Sequence, residues 1–139
     1  QLKPNIKLPN DVYVQNKKLS GILIERYHDS GQAIIGIGVN ISKSPLKTST
    51  CLHDVSSLNI QVETMTKQLI STMLAIRQTD TSTLFKTFKT WVKDSPMHLY
   101  HQGHCTEIIG IDETFTLKTS RGLIRAFNAD IHYGHCKLK

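Results

Sequence analysis

Residues 6–25, IKLPNDVYVQNKKLSGILIE, place an amide and a carboxylate (Asn10, Asp11) on a proline turn. Lys18 follows at the head of an apolar run that is broken once, at Gly21. A little further on, GIGVN at 36–40 supplies two glycines and an amide, Gly36, Gly38 and Asn40, at alternate positions. A rigid turn bearing a carboxylate, with a lysine close by, reads as part of an active site, and strand glycines can let a ligand approach the backbone. Each feature also has a plain structural explanation. A lysine opening a strand is commonly an edge charge, and strand glycines can serve tight packing. Alternation puts Gly36, Gly38 and Asn40 on one face and Ile35, Ile37, Val39 and Ile41 on the other, a core surface. It also puts Gly21 on the face opposite Lys18. Joint use of the two therefore needs either the backbone of Gly21 or a bulge between them.

The elements that must hold these groups follow from the pattern. Short extended pieces over 6–8 and 12–15 flank the turn Pro9-Asn10-Asp11, where proline fixes φ and the Asx side chains support a turn. A polar turn at 15–17 leads to a strand over 18–27, HDSGQ (28–32) makes a hairpin loop, and a β-branched strand covers 33–41. A polar loop, SKSPLKTST, spans 42–50. Val62, Met65, Leu69, Ile70, Met73, Leu74 and Ile76 recur at helical spacing, which places Met65 and Met73 in a core. Leu84, Phe85, Phe88, Trp91 and Val92 predict a second helix, with N-caps in Asp80-Thr81-Ser82 and Pro96 just past its end. From residue 98 the character changes to short strands: TEIIGID, FTLKTS, GLIRAFN and DIHYGHCKL. The predicted fold is α+β: a mixed or antiparallel sheet with packed helices over 1–96, then a small β-barrel over 97–139.

The 139 residues suit one domain, or one domain with an appendage, and 39% apolar content is enough for a core. No apolar run is long enough for a membrane helix. The first residues lack the apolar region of a signal peptide, and the chain does not begin with Met. Seventeen basic against eleven acidic side chains leave a net charge of +6. The basic residues are scattered, and the aromatics, 6%, do not interleave with them, so nucleic acid is not the expected partner. Three cysteines without a secretory signal read as reduced thiols in a cytoplasmic protein. HQGHC (101–105) and HYGHC (132–136) repeat one pattern, so His104, Cys105, His135 and Cys136 form a nominal zinc set. Adjacent His-Cys pairs on a strand face opposite ways, which argues against it. Cys51, with His53 and Asp54 close by in sequence, lacks the companions of a catalytic nucleophile.

IKLPNDVYVQNKKLSGILIE followed by IIGIGVNI closely resembles the biotin protein ligases. Their pattern is Lys-Trp-Pro-Asn-Asp, then Lys-Leu-x-Gly-Ile-Leu-x-Glu, then a Gly-x-Gly-x-Asn strand. The match is strong over 6–41. TSTCLHDV (48–55) resembles a segment of eukaryotic members, and the last residues resemble the family's SH3-like module. The resemblance implies a class II synthetase-like catalytic fold, cut short, ahead of that module. It also implies a two-step reaction. Biotin and ATP with Mg²⁺ give biotinyl-5′-AMP, and a lysine on the biotin-carrier domain of a carboxylase then takes the biotin. Lys18 matches the essential lysine. Asn10 and Asp11 would lie near the triphosphate, Asp11 with Mg²⁺. Gly36 and Gly38 would floor the biotin pocket, Gly21 would offer backbone groups, and Asn40 would reach the nucleotide. Two departures stand out. The family's Trp is Leu8 here, and its Gly-Arg-Gly-rich loop lies upstream of this motif. The chain thus resembles the C-terminal half of a ligase, expected to be poorly active or inactive alone, with a second copy (a homodimer) or the missing N-terminal half as candidate partners. A non-catalytic binding module derived from a ligase is the alternative.

Overall fold

The computed structural model describes residues 2–27, 30–93, 97–101, 103–114, 116–125 and 130–133. β1 (Asn5–Lys7) and β2 (Asp11–Val14) fold back on each other about the turn at 8–10. β2 runs into β3 (Lys17–Arg26) through Gln15 and Asn16, whose φ angles are 51° and 61°. Two successive left-handed residues give a turn whose twist matches that of the flanking strands, so a tight hairpin forms there. β4 (Ala33–Val39) completes a sheet of order β1-β2-β3-β4. All its strand pairings are antiparallel, the second of the two expected forms; among the described residues the one parallel feature is an isolated bridge from Lys18 to Ser49.

A short helix, α1 (Leu52–Val55), follows the polar loop. Periodicity could not signal a single turn; it forms where the N–H groups of Leu52 and His53 donate to the carbonyls of Asn40 and Ile41. α2 (Val62–Ile76) and α3 (Thr81–Lys93) are the two periodic segments. Asp80 caps α3, its Oδ1 accepting the Thr83 N–H at 2.9 Å. The remaining strands are β5 (Met97–His101), β6 (His104–Ile111), β7 (Thr116–Thr119), β8 (Gly122–Arg125) and β9 (Asp130–Tyr133). They form an antiparallel sheet of order β8-β7-β6-β5-β9.

The main core crosses the expected boundary at 96/97. Leu8 from the first turn and Val92 from α3 pack with Met97, Leu99, Ile111 and Leu117 of the second sheet. A second cluster, Val14, Leu19 and Leu52, takes in Val39, Ile41, Val55, Ile60 and Met65. Elsewhere the apolar pattern stays uncovered. No residue of α2 is buried, and Val62, Ile70, Leu74 and Ile76 are exposed. Met65 and Met73 are both half-buried; Met65 packs against the second cluster, whereas Met73 belongs to neither. Leu23, Ile24, Ile34 and Ile35 are also exposed, so the face containing Ile35 is a core surface only at its Val39–Ile41 end. Among the described residues β4 pairs on one side only, and no element covers these patches.

Of the described cysteines, Cys51 is free and buried. Cys105 is disulfide-bonded, which corrects the expectation of reduced thiols. β9 lies along β5, on the side away from β6, which carries Cys105. A disulfide sulfur is not a thiolate, so Cys105 cannot serve in the nominal zinc set in this state, in line with the argument against that set. His135 and Cys136 lie outside the described residues, as do His28 and Asp29 of the hairpin loop and Pro96. No group of three or more His, Cys, Asp or Glu able to hold a metal occurs among the described residues. Nor is any described helix long and apolar enough to cross a membrane.

The β6–β7 turn carries a pH-dependent fastening. The Asp112 carboxylate accepts the Thr114 hydroxyl (2.7 Å) and the N–H groups of Thr114 (2.9 Å) and Thr116 (3.0 Å). The Thr114 hydroxyl first, then the Thr116 N–H, hold its pKa below the ordinary 3.8. A depressed carboxyl contributes stability above its unfolded pKa and loses it as pH falls through the folded value. Amide exchange at Thr114 and Thr116 is therefore expected to speed up as pH drops below 3.8, beyond the intrinsic trend. Asp112→Asn is expected to remove that extra pH dependence.

Candidate active site

The register shows how sequence-distant groups come to share a face. Lys7 pairs with Asp11, Asp11 with Gly21, and Gly21 with Gly38, one row across all four strands. Directly opposed residues of antiparallel strands project to the same face. In the next row Asn5 pairs with Tyr13 and Tyr13 with Lys18. Between the rows the β2–β3 register slips: Val12 faces Ser20 while Tyr13 faces Lys18, leaving Leu19 as the extra residue. That is a β-bulge. It resolves the parity conflict in the sequence, because Lys18 and Gly21 now lie on one face. Leu19 and Ser20, successive residues, are consequently both buried.

Lys18 is held from both sides. Its N–H donates to Thr48 O (3.3 Å) and its carbonyl accepts the Thr50 N–H (2.8 Å), so the 48–50 segment lies along it. Its ammonium sits 2.5 Å from Asp11 Oδ1. The Asp11 side chain is mostly buried and that of Lys18 about half exposed. The Coulomb term in such a setting is modest, so the pair matters more for position than for stability.

The glycines separate into two kinds. A Cβ at Gly21 would lie 3.2 Å from Lys18 Nζ and 3.3 Å from Asp11 Oδ1. Gly21 thus leaves room for the ion pair. A Cβ at Gly38 would meet nothing within 4 Å, and one at Gly36 only Leu23, at 3.9 Å. Packing among the described residues does not require these two to be glycine. They leave a bare strip of backbone beside the Lys18–Asp11 pair.

The two amides have structural duties. Asn10 Nδ2 donates to Ile22 O (2.8 Å) and Asn10 O accepts the Ile22 N–H (2.9 Å), stapling the turn to β3. Asn40 Nδ2 donates to Thr50 O (3.0 Å), its N–H donates to Leu19 O, and its carbonyl accepts the Leu52 N–H. Asn40 therefore ties the bulge, the 48–50 segment and α1 together. Leu8, where the family pattern has Trp, turns away into the main core at 1% exposure.

Sequence reasoning misses two residues of this face. Lys7 reads there as one of the scattered basic residues, and Tyr13 has no role. The turn between Lys7 and Asp11 is the available signal, since a hairpin there must set them opposite each other. The Lys7 ammonium lies 5.9 Å from the Tyr13 ring centroid. Burial pushes the Tyr13 phenol up and the Asp11 carboxylate adds to this, while the Lys18 ammonium pulls it back.

The antiparallel sheet carrying this face is followed by the helices and a second antiparallel sheet, an α+β arrangement. Residues 3–40 match the model of the biotin/lipoate A/B protein ligase family. Over 50 residues the chain is 40% identical to the bifunctional ligase/repressor BirA of Escherichia coli K12, covering 34% of this chain and 16% of that protein. The structure superposes on the apo biotin protein ligase of Aquifex aeolicus with a TM-score of 0.70 at 20% identity, covering 94% of this chain and 66% of that one. The same enzyme in complex with biotin and ATP gives 0.71 and 62%. The Leishmania major biotin protein ligase bound to biotinyl-5-AMP gives 0.61 at 18% identity, covering 96% of this chain and 57% of the other. The chain carries the ligase motif segment and has the fold of a biotin protein ligase. It spans less than two thirds of the length of each of these relatives.

Proposed function

We propose that the chain supplies the Lys18 face of a biotin protein ligase. That enzyme would activate biotin with ATP to biotinyl-5′-AMP and pass the biotin to a lysine on a carboxylase's carrier domain. The observation that carries this reading is the Lys18–Asp11 pair set beside a strip of backbone that packing does not require to be bare.

In the first step the biotin carboxylate oxygen attacks the α-phosphorus of ATP and pyrophosphate leaves. Two anions must meet, and Lys18 would screen them at the junction, its ammonium exchanging Asp11 for the incoming oxygens. Asp11, released on that exchange, would fit Mg²⁺, which is commonly held by one carboxylate together with phosphate oxygens and water. Mg²⁺ would neutralise charge on the triphosphate. Gly36 and Gly38 would floor the biotin site, and Gly21 would keep the ammonium's position open. Asn10 and Asn40 would act mainly by fixing the turn and the bulge, Asn40 from the nucleotide side. In the second step the carrier lysine attacks the acyl carbon of the anhydride and AMP leaves.

The relatives carry more chain than this one matches, and the upstream Gly-Arg-Gly-rich loop of the family would complete the pocket. That complement would come from an N-terminal half. The second sheet would serve as the SH3-like module. Cytoplasmic placement would require Cys105 to be reduced there, because disulfides are rare in that compartment.

The test is biotinyl-AMP formation from biotin and Mg·ATP, by the chain alone and with a polypeptide restoring the upstream loop. Product in the restored assay, dependent on Lys18, is expected. No product even then would favour the non-catalytic module. Gly38→Ala provides a sharper check. The added methyl has room in the fold, so thermal stability should hold within about 1 kcal/mol. Biotin binding, followed by calorimetry, should drop at least about tenfold if the strip is the pocket floor. Unchanged binding would move biotin elsewhere.

A further inference from the structure

We propose that Tyr13 is a positioning residue whose ring holds the ammonium groups of Lys7 and Lys18 on opposite flanks of Asp11; this rests on the adenylation reading above. Tyr13 lies on the same sheet face as all three, directly opposite Lys18 in register and one row along from the Lys7–Asp11 pair. Lys7 Nζ, 5.9 Å from the ring centroid, is within range for attraction by the ring's negative face. On the other strand Lys18 is the register partner of Tyr13, a pairing that brings cross-strand side chains within reach of each other.

A lysine stem has many rotamers, and an exposed one explores them all. Lys18 reaches past its own row to Asp11 in the next, so something must bias its stem along the strand. A half-buried ring opposite it does this, and the same ring gives Lys7 a resting place that is not Asp11. Asp11 is then engaged from the β3 side, by Lys18, while Lys7 is held back over the aromatic surface. Beside Asp11 the face carries two positive charges, Lys7 and Lys18; its other carboxylate, Glu25, stands two rows further along β3. An incoming oxyanion would meet an ammonium group from the strand on each side of β2. The phenol hydroxyl has no part in this. The ring does the positioning, so phenylalanine should replace tyrosine while leucine should replace it only as bulk.

The experiment is trace acetylation of the whole chain with an N-hydroxysuccinimide ester of acetic acid, without biotin or ATP. Mass spectrometry reads the rate at each lysine against exposed Lys47 as internal reference. Wild type and Tyr13→Phe are expected to show the same slow rates at Lys7 and Lys18. Tyr13→Ala should raise both by about two- to fivefold, the size of an exposed cation–π contact. Tyr13→Leu should restore the slow rate at Lys18 and leave Lys7 fast. Equal rates in all four proteins would overturn the proposal, as would Phe behaving like Ala, which would put the effect in the hydroxyl. Circular dichroism checks that each variant folds; if Ala does not, the Phe and Leu comparison decides alone. Because no adenylation is needed, a chain that makes no biotinyl-AMP still shows whether Tyr13 positions the two lysines.

Discussion

Lys18→Ala is expected to lower biotinyl-AMP synthesis by about 10²–10³, measured as pyrophosphate release in the assay restored with the upstream loop. That is the usual loss when one preorganised donor to developing negative charge is removed. The reason is geometric. Lys18 is fixed by backbone bonds to Thr48 and Thr50, turned onto the working face by the Leu19 bulge, and aimed at Asp11 across a space left by Gly21. Little of this contributes to stability. The Lys18 side chain is about half exposed, and such pairs are typically worth ~0–1 kcal/mol. A variant that loses two or more orders of magnitude in rate yet melts within a few degrees of wild type would separate chemistry from folding. Loss of both together would mean that Lys18 is a structural charge.

Leu8→Ala is expected to have the largest effect on stability, about 2–5 kcal/mol by chemical denaturation, as for a fully buried leucine whose site cannot collapse. Leu8 is 1% exposed and touches neither sheet alone. It is enclosed with Val92 of α3 and with Met97, Leu99, Ile111 and Leu117 of the second sheet. Removing it loosens the junction between the halves and, being next to Pro9 and Asn10, the turn that presents Asp11. A single cooperative transition shifted to lower denaturant is expected. Two separate transitions would mean that the two sheets fold independently and the boundary at 96/97 is real in energy as well as in sequence.

How much could be read in advance differs from residue to residue. The strands around the Asn10–Asp11 turn, the two long helices and the late run of strands were legible because their periods are local properties. The bulge was not. Simple alternation puts Gly21 and Lys18 on opposite faces, and only the pairing partners Val12 and Tyr13 reveal that Leu19 is an extra residue. Asn10 and Asn40 were legible as polar residues beside the motif. Their hydrogen bonds to Ile22 and Thr50 depend on strands and loops that sequence spacing does not bring together. Leu8 reads as the loss of an aromatic wall, whereas its place is set by α3 and the second sheet, which pack from far along the chain. Periodicity in α2 correctly gives a helix. It cannot say whether the apolar side has anything to cover it, and among the described residues Val62, Ile70, Leu74 and Ile76 remain exposed.

The central claim is that one sheet face, from Asp11 through Lys18 and Gly21 to Gly38, receives the adenylate. The most direct measurement is two-dimensional NMR of the chain titrated with a non-hydrolysable analogue of biotinyl-AMP. The amides of Gly21, Gly36 and Gly38 are predicted to shift together with the Lys18 side-chain signals, and Lys18→Ala to weaken the titration. Shifts confined to other surfaces, or a Lys18→Ala titration equal to wild type, would contradict that claim.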